Sequence, residues 1–482
     1  MKTMKQLNRS THQTKSYKER IVQFGEGNFL RAFADWMIHQ MNQKAGFDGG
    51  VVAVQPIDKG LVPLLNEQEG LYTVYLNGIK DGEAVSEHEI VDCIQRGLDP
   101  YRQFEEYMAL ADNPDLRFVL SNTTEAGIAY HENNSIHDTP PSSFPAKVTL
   151  LLHKRYEAFE GAADKGLIFI PCELIDRNGD NLKRIILQYV EEWQLSGAFK
   201  DWIEKHNVFT NTLVDRIVPG YPKDKMDEIT QQLGYKDQLV VEGEQFHLWV
   251  IEGAEQFREE FPAEACGLNV VFTDNMEPYR TRKVRILNGA HTTMVPVAYL
   301  YGIKYVRESV EDEVFGEWIR QAIFEEICPT LDLPDEELRS FANDVLDRFR
   351  NPYLKHALMS ISLNSVSKFK TRVLPSLLGY VERKGSLPVK LSISLAALIA
   401  FYRGEVAGKS IERNDDQAVI NFADKVWSAY NDEASLTKVS SDFLGNQEFW
   451  GQDLNKIANL TNTVARYLSE ILDGNIQKLL KS

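Results

Sequence analysis

The first 55 residues carry the pattern that most constrains the fold of this chain. A short apolar run at 21–24 precedes a glycine turn, a stretch of helical spacing from 29 to about 44, and a second apolar run at 51–55. Two strands joined through one helix over about 35 residues form a βαβ unit, which belongs to a parallel sheet. Further β-rich runs follow at 117–121, 167–171, 248–251 and 270–273. We therefore predict an N-terminal α/β domain built on a parallel sheet.

The second half of the chain has a different pattern of apolar residues. Segments with helical spacing and few β-branched runs occupy 310–328, 335–349, 353–381 and 386–403. A chain of 482 residues exceeds what one hydrophobic core usually organises, so two domains are expected. We predict a loose, basic N-terminal arm at 1–20, the sheet domain at 21–280, and a mostly α-helical substrate and catalytic domain at 281–482.

Composition and charge exclude several classes of partner. A formal net charge of −17 argues against binding to a nucleic-acid backbone, which normally requires a basic face. The first 20 residues lack the apolar stretch of a secretory signal, and the apolar run at 391–402 is shorter than the roughly 20 residues that span a bilayer. We therefore expect a cytoplasmic protein with a small-molecule partner, no nucleic-acid partner and no membrane partner. The sequence gives no prediction of the oligomeric state.

A glycine turn, Gly25-Glu26-Gly27-Asn28, follows the first predicted strand. Glycine allows backbone to approach a pyrophosphate closely, and dinucleotide sites of Rossmann-type domains use such a turn before the first helix. The third glycine of the usual GxGxxG pattern is absent, so an ordinary strand–helix connection is the alternative. The position inside a βαβ unit at the chain start favours the dinucleotide site. The predicted cofactor-binding residues are Phe24, Gly25, Gly27, Asn28, Phe29 and Asp58.

The end of the second predicted strand bears on the choice of cofactor. This strand ends at Gln55-Pro56, without the acidic residue that usually binds the ribose hydroxyls of NAD. Asp58 lies three residues later and is the candidate for that role, the alternative being a solvated turn residue. No arginine stands at this point to meet a 2′-phosphate, so the sequence favours NAD(H) over NADP(H).

The segment 282–291, RKVRILNGAH, holds the candidate catalytic groups. On a regular helix, Lys283, Asn288 and His291 fall within roughly 140° of arc and line one wall of a cleft. Reduction of a ketone requires a proton donor near the carbonyl oxygen and dipoles that stabilise the developing alkoxide. An ammonium, an amide and an imidazole supply these groups. The alternative is a surface helix with an incidental lysine.

The spacing K-x4-N-x2-H after a Rossmann-type domain resembles the signature of the polyol-specific long-chain dehydrogenases/reductases, the mannitol dehydrogenase family. Other stretches that resemble this family lie at 23–33, 121–128, 170–182, 212–222, 283–292, 348–356 and 369–378. Together they most resemble the family members that reduce keto-hexuronates. The resemblance implies a reversible hydride transfer between NADH and a keto group of a hexuronate, without a metal ion.

The resemblance also implies roles for individual residues. Lys283 matches the general acid/base of the family, and Asn288 and His291 match residues that hold and polarise the reacting oxygen. Asp215 lies in a family motif near the active site. A hexuronate carboxylate would be costly to bury unpaired, and the segment with Lys368 and Arg372, which the family places beside the substrate, offers two cations. The alternative is that these two cations are solvated or interdomain charges.

One position departs from the family pattern. Mannitol dehydrogenases have an asparagine two residues after a motif cysteine, where this chain has Leu174, and Asn178 is the candidate replacement. Scattered histidines without an HExxH motif agree with the absence of a metal site. Alternative functions are fructuronate reductase or mannitol dehydrogenase specificity, or a non-catalytic dinucleotide sensor, which has no need of Lys283, Asn288 and His291 together.

Overall fold

The structure is a computed structural model that describes residues 4–80, 82–124, 126–253, 255–406, 408–430 and 435–481. The chain divides into two units. The first comprises the residues up to Asn77 together with Val85–Met276. The second comprises Gly78–Ala84 and the chain from Glu277 onward, so it includes a short segment of the N-terminal half that the sequence did not assign to it.

A parallel sheet of six strands organises the first unit. The strands that lie wholly or mostly in this unit are β1 Glu19–Phe24, β2 Gly50–Val54, β3 Tyr72–Lys80, β4 Glu83–Val91, β5 Ile94–Leu98, β6 Phe118–Ser121, β7 Ile168–Pro171, β8 Val208–Phe209, β9 Asn211–Asp215, β10 Val241–Glu244, β11 Leu248–Glu252 and β12 Val270–Thr273. The main sheet has the order β5-β2-β1-β6-β7-β8, and its neighbouring strands run parallel. This confirms the predicted parallel sheet. The order changes direction between β1 and β6, the point where ligands bind in open α/β sheets.

Both faces of this sheet are buried, as expected of strands with near-continuous apolar sequence. Ile21 and Val51 belong to the core on one face, and Val22 and Val52 belong to the core on the other. The helices of this unit are α1 Asn28–Ala32, α2 Ala34–Ala45, α3 Val62–Glu67, α4 Phe104–Ala109, α5 Phe144–Ala158, α6 Asn178–Glu192, α7 Gly197–His206 and α8 Met226–Leu233.

The predicted helix at 29–44 is interrupted at Phe33, where φ is −123° and ψ is −82°. The fully buried Arg31 side chain lies next to this break. Its guanidinium donates to the carbonyl oxygens of Glu26 and Leu239 and to Oδ1 of Asn28. Apolar spacing alone does not indicate this break, because the partners of Arg31 include a segment about 200 residues further along the chain.

The N-terminal segment is packed rather than loose in its described part. Leu7 is 1% exposed, and its amide donates to the carbonyl oxygen of Lys236. The Arg9 guanidinium donates to the carbonyl oxygens of Asp92 and Ile94 at 3.1 and 3.0 Å. These long-range hydrogen bonds, which the polar composition of the segment does not reveal, hold it on the first unit.

The second unit is largely helical, which confirms the predicted fold class of this part of the chain. Its helices are α9 Glu277–Arg282, α10 Gly289–Tyr301, α11 Val306–Glu311, α12 Glu313–Gln321, α13 Asp335–Phe349, α14 Leu358–Ile361, α15 Ser365–Arg372, α16 Leu374–Lys384, α17 Val389–Phe401, α18 Gln417–Ser428, α19 Leu436–Leu444, α20 Gln447–Trp450, α21 Leu460–Leu472 and α22 Ile476–Leu480. In the described part of this unit, two π-helical turns interrupt the helices, at Lys283–Asn288 and Ala322–Ile327. A short hairpin pairs β13 Glu405–Val406 with β14 Lys409–Ser410.

The most apolar helix, α17, lies in the core of this unit. Almost all of its side chains are buried, and Ser394 Oγ donates to the carbonyl oxygen of Thr293 in α10 at 2.8 Å. This agrees with the predicted core helix in the same stretch. Among the described residues, no helix has both the length and the apolar character needed to cross a bilayer.

A buried histidine on α2 forms an ion-pair cluster in the first unit. His39 Nδ1 lies 2.8 Å from Asp92 Oδ1, and Nε2 lies 3.5 Å from Glu89 Oε2. Burial alone would lower the pKa of His39, but the hydrogen bonds and charges of Asp92 and Glu89 outweigh it and raise the pKa to about 9. His39 is therefore protonated in the folded protein at neutral pH.

We expect this cluster to make the stability of the protein depend on pH. The folded pKa of His39 exceeds the unfolded value of about 6.5, so its contribution is fully present below that pH and is lost as the pH rises through about 9. We expect His39→Gln to lower the free energy of unfolding by about 2–3 kcal/mol at pH 6 and by much less at pH 9.5. Urea unfolding at both pH values measures the difference, with the exposed His12→Gln as a control. A gap of equal size at both pH values would contradict the expectation.

Candidate active site

The glycine turn lies at the point where the strand order of the sheet changes direction. Gly25 has a φ of +112°, and a Cβ at this position would lie 2.9 Å from the carbonyl oxygen of Asn122 after β6, so only glycine fits. Around Gly27, by contrast, no described residue beyond its chain neighbours has an atom within 4 Å of the position that a Cβ would take. The first glycine thus allows β1 and β6 to close the turn, and the second leaves open space for a ligand. The turn fits the pyrophosphate of a dinucleotide.

The other predicted cofactor residues differ in their surroundings. The Phe24 ring is buried in the core and packs on Phe144, with ring centroids 4.8 Å apart, so only its backbone faces the turn. Phe29 stacks on Phe33. Asn28 is exposed and accepts a hydrogen bond from Arg31. Asp58 lies exposed in the loop after β2. Phe24 can therefore contribute to the predicted cofactor site through its backbone.

An acidic residue that the sequence analysis did not select lies inside the glycine turn. Glu26 is 6% exposed, and its Oε1 accepts a hydrogen bond of 2.9 Å from the amide of Leu61. Burial raises the pKa of Glu26, against backbone hydrogen bonds and the charge of Arg31, which lower it. The sequence does show a glutamate between the two glycines of a candidate phosphate site, and an acidic residue at that position is the signal that could have identified Glu26.

The structure argues against Asn178 as a replacement for the family's oxyanion asparagine. Its Nδ2 donates to the carbonyl oxygens of Pro171 and Glu173 at 3.0 and 3.2 Å, and its Oδ1 accepts from the amides of Gly179 and Thr212. The side chain is fully buried and is used in holding the backbone together. Leu174 is 65% exposed and offers no donor in its place.

Asp215, predicted to lie on the substrate side, closes β9 in the first unit. It is buried, and its strand pairs antiparallel with β11. The other two predicted substrate residues, Lys368 and Arg372, belong to the second unit.

The candidate catalytic residues flank the first π turn of the second unit. Lys283 begins this turn, Asn288 ends it, and His291 lies in the first turn of α10. A π turn bonds residues five apart, which brings Lys283 and Asn288 towards one side of the helix, whereas a regular α-helix would separate them by about 140°. Both side chains are partly buried, and the Asn288 amide group makes no hydrogen bond with a described residue. The π turn therefore brings Lys283 and Asn288 closer to one face of the helix than the predicted regular helix would.

His291 presents an imidazole nitrogen without a partner. Its ring packs on Phe349, with centroids 4.2 Å apart, and lies edge-on to His356 at 5.2 Å. Nε2 is buried and has no hydrogen-bond partner in the part of the chain that the structure describes. Burial lowers the pKa of His291 well below its usual range, and the charges of His356, Arg348 and Arg372 lower it further. His291 is thus a neutral imidazole with a nitrogen available for a ligand oxygen.

Arg372 ends α15 beside this histidine. Its carbonyl oxygen lies 3.0 Å from the position that a Cβ on Gly289 would take, so a glycine lets α15 approach the start of α10 closely. The guanidinium is half-buried and forms no hydrogen bond or ion pair with a described residue, and burial lowers its pKa. The Lys368 ammonium, one turn away, donates to the carbonyl oxygen of Ile361 at 2.8 Å. Arg372 is therefore the better placed of the two for an anionic ligand.

Two further residues near His291 come from the family-like stretch at 348–356. Arg348 is buried and contributes positive charge, and His356 contributes its ring. The sequence analysis noted this stretch but assigned no role to either residue. Among the described residues, no group of three His, Cys, Asp or Glu side chains is arranged to hold a metal ion.

Comparison with protein families matches both parts of the chain. The mannitol dehydrogenase Rossmann domain matches residues 19–264, and the mannitol dehydrogenase C-terminal domain matches residues 275–472. This chain belongs to the mannitol dehydrogenase family. Membership confirms the family resemblance and the fold class that were predicted from the sequence.

Relatives within the mannitol dehydrogenase family match over almost the full length. An altronate oxidoreductase from Bacillus subtilis (strain 168) is 49% identical over 480 residues, which cover 99% of this chain and 98% of that protein. A D-sorbitol dehydrogenase in substrate-free form has a TM-score of 0.78 at 20% identity, covering 96% of this chain and 95% of that chain. Mannitol 2-dehydrogenase of Pseudomonas fluorescens, in a ternary complex with NAD and D-mannitol, has a TM-score of 0.63 at 22% identity and covers 99% of both chains. The two solved structures share the family fold.

Proposed function

We propose that this chain catalyses the reversible, NAD(H)-dependent reduction of D-tagaturonate to D-altronate. The observation that carries the proposal is the half-buried Arg372 guanidinium, which pairs with no described residue and lies beside His291. A half-buried cation of this kind favours a substrate that brings its own carboxylate. The relative from Bacillus subtilis, named altronate oxidoreductase, supports the same substrate.

The glycine turn and the loop after β2 are proposed to hold the cofactor. Gly25 and Gly27 would receive the pyrophosphate, with the backbone of Phe24, Asn28 and Phe29 around it. When bound, the nicotinamide supplies or accepts the hydride. The exposed Asp58 carboxylate is proposed to meet the ribose hydroxyls, which favours NAD(H) over NADP(H). The family member bound to NAD and D-mannitol supports this choice.

The second unit is proposed to supply the acid–base groups and most of the substrate-binding residues. The Lys283 ammonium donates a proton to the ketone oxygen during reduction, and the free amine accepts it during oxidation. The Asn288 amide and His291 Nε2 hold the same oxygen and stabilise its developing charge. Arg372 pairs with the substrate carboxylate, assisted by Lys368. Asp215 of the first unit is proposed as a further substrate-side residue.

A substrate panel tests this proposal. NADH oxidation would be followed with D-tagaturonate, D-fructuronate and D-fructose, in parallel with NADPH, and before and after prolonged incubation with a chelator. We expect D-tagaturonate to give the highest kcat/KM with NADH and the chelator to have no effect, because a lysine replaces a Lewis acid. Preference for fructuronate or for the neutral sugar would assign the sister specificity. Tight NADH binding without turnover of any substrate would indicate a dinucleotide sensor.

A further inference from the structure

Glu26 places a carboxyl group in the turn that is proposed to receive two phosphates. The Glu26 carboxyl accepts a 2.9 Å hydrogen bond from Leu61 N–H at Oε1, which ties the loop after β2 to the glycine turn. The nearby Arg31 guanidinium donates to the carbonyl oxygen of Glu26 and forms no ion pair with its carboxyl group. An ionised Glu26 would therefore repel the pyrophosphate without a direct cationic partner.

Gln55, the last residue before the loop, presents a buried acceptor to the same place. Its Nε2 donates to the carbonyl oxygen of Ile57 at 2.9 Å, which fixes the orientation of the amide. Its Oε1 is buried and has no donor among the described residues. A Cβ on Gly60 would lie 2.0 Å from Glu26 Oε1 and 2.6 Å from Gln55 Oε1, so the two oxygens flank one point under the loop.

Gln55 Oε1 lacks a hydrogen-bond donor among the described residues, and Glu26 Oε1 lies beside the same point. A buried acceptor without a donor carries a desolvation cost, and a protonated carboxyl is a donor as well as an acceptor. Glu26 is the titratable group that flanks this point with Gln55 Oε1. A proton on Glu26 would satisfy Gln55 and would also remove the repulsion of the phosphates.

The charges around Glu26 favour this proton once a dinucleotide is present. Burial raises the pKa of Glu26, Asp99 raises it further, and Leu61 N–H and Arg31 lower it. Asp58 and Lys59 in the same loop are exposed, so solvent screens them. A like charge within about 4–6 Å disfavours ionisation of a carboxyl group, and the pyrophosphate would bring two negative charges.

We propose that Glu26 is protonated when the dinucleotide is bound and shares its proton with Gln55 Oε1, so that cofactor binding takes up a proton. This proposal rests on the proposed function, which places the pyrophosphate at Gly25–Asn28. The affinity for NADH then falls as the pH rises through the range in which Glu26 ionises in the free protein.

The test measures NADH binding in the absence of substrate. NADH fluorescence titrations of the full chain would be carried out from pH 5 to 9 for the wild type and Glu26→Gln. A glutamine accepts from Leu61 N–H and donates to Gln55 Oε1, so it mimics a permanently protonated Glu26. We expect the Kd of the wild type to rise about tenfold across this range, since one pKa unit of difference between free and bound protein corresponds to a factor of ten. The Kd of Glu26→Gln should stay flat near the low-pH value of the wild type.

A measurement on the wild type and a control variant keep the test independent of how Glu26→Gln folds. Calorimetric titration of the wild type in two buffers of different ionisation enthalpy should show net proton uptake on NADH binding. Glu326→Gln is the matched control, because Glu326 is also a buried carboxyl that accepts backbone N–H groups, from Lys390 and Leu391 at 2.9 Å. This control should keep the pH slope of the wild type.

The outcomes separate this proposal from the proposed function. A pH-independent Kd in the wild type, no proton uptake, or an unchanged slope in Glu26→Gln would overturn the role of Glu26 and leave the reaction intact. A wild type that binds no NADH at any pH would instead overturn the proposed cofactor, and the role of Glu26 with it.

Discussion

Replacement of Lys283 by methionine is expected to lower kcat for ketone reduction by about 10²–10⁴-fold, the usual contribution of positioned acid–base catalysis. Methionine keeps the length and apolar stem of lysine but has no proton to donate to the ketone oxygen. The residues proposed to hold the cofactor lie elsewhere in the chain, so the Kd for NADH should change little. Steady-state kinetics with D-tagaturonate and NADH fluorescence titration measure the two effects separately.

A matched lysine controls for loss of charge in the same unit. Lys425 is exposed on α18, and Lys425→Met is expected to keep kcat within about twofold of the wild type, as is usual for surface substitutions. A kcat of Lys283→Met within a few-fold of the wild type would remove Lys283 from the mechanism. A parallel loss of NADH binding would assign Lys283 to the cofactor site instead.

The parts of the fold that follow from local periodicity were predictable from the sequence. The apolar runs at 21–24 and 51–55 with a helical stretch between them dictate parallel neighbours, and β1 and β2 are such a pair. The glycine turn followed from the same reasoning, because Gly25 needs a backbone conformation and a close approach that other residues cannot provide. Local chemistry is sufficient in each of these cases.

The features that sequence reasoning missed depend on partners far along the chain. The helix break at Phe33 lies beside the hydrogen bond from Arg31 to the carbonyl oxygen of Leu239. The Asn178 amide group donates to the carbonyl oxygen of Pro171 and accepts from the N–H of Thr212. Neither interaction leaves a periodic signal. The hydrogen bonds of Asn178 argue against its candidate role as the oxyanion asparagine, and they could not be predicted from the departure of the motif at Leu174.

The π turn shows the same limit at the candidate catalytic residues. The sequence places Lys283, Asn288 and His291 on one helix, but the apolar spacing of KVRILN does not distinguish a π turn from an α-helical turn. The π turn lies beside a tertiary contact, which local spacing does not reveal. Gly289 immediately follows the turn and makes room for the carbonyl oxygen of Arg372 in α15. The residue types were predictable, whereas their mutual geometry required the packing of α15 on α10.

The same packing underlies the second large effect that we expect, which concerns the substrate carboxylate. Arg372→Ala should lower kcat/KM for D-tagaturonate by more than tenfold, a loss of about 1.4 kcal/mol or more of transition-state stabilisation. A keto-sugar without a carboxylate should be turned over by the variant nearly as well as by the wild type. Arg372→Lys should fall between them for the acid, because an ammonium keeps the charge but not the bidentate geometry.

A second arginine of this unit provides the control for Arg372. The Arg403 guanidinium lies over the rings of Trp427 and Tyr430, at 5.5 and 5.3 Å from their centroids, and its side chain is exposed. Arg403→Ala should leave the ratio of kcat/KM between acid and neutral substrate unchanged. If Arg372→Ala reduces kcat/KM equally for both substrates, Arg372 supports the fold or the chemistry through its neighbour His291, and Lys368 becomes the next candidate for the carboxylate. A loss confined to the acid would identify Arg372 as the residue that distinguishes a sugar acid from a neutral polyol.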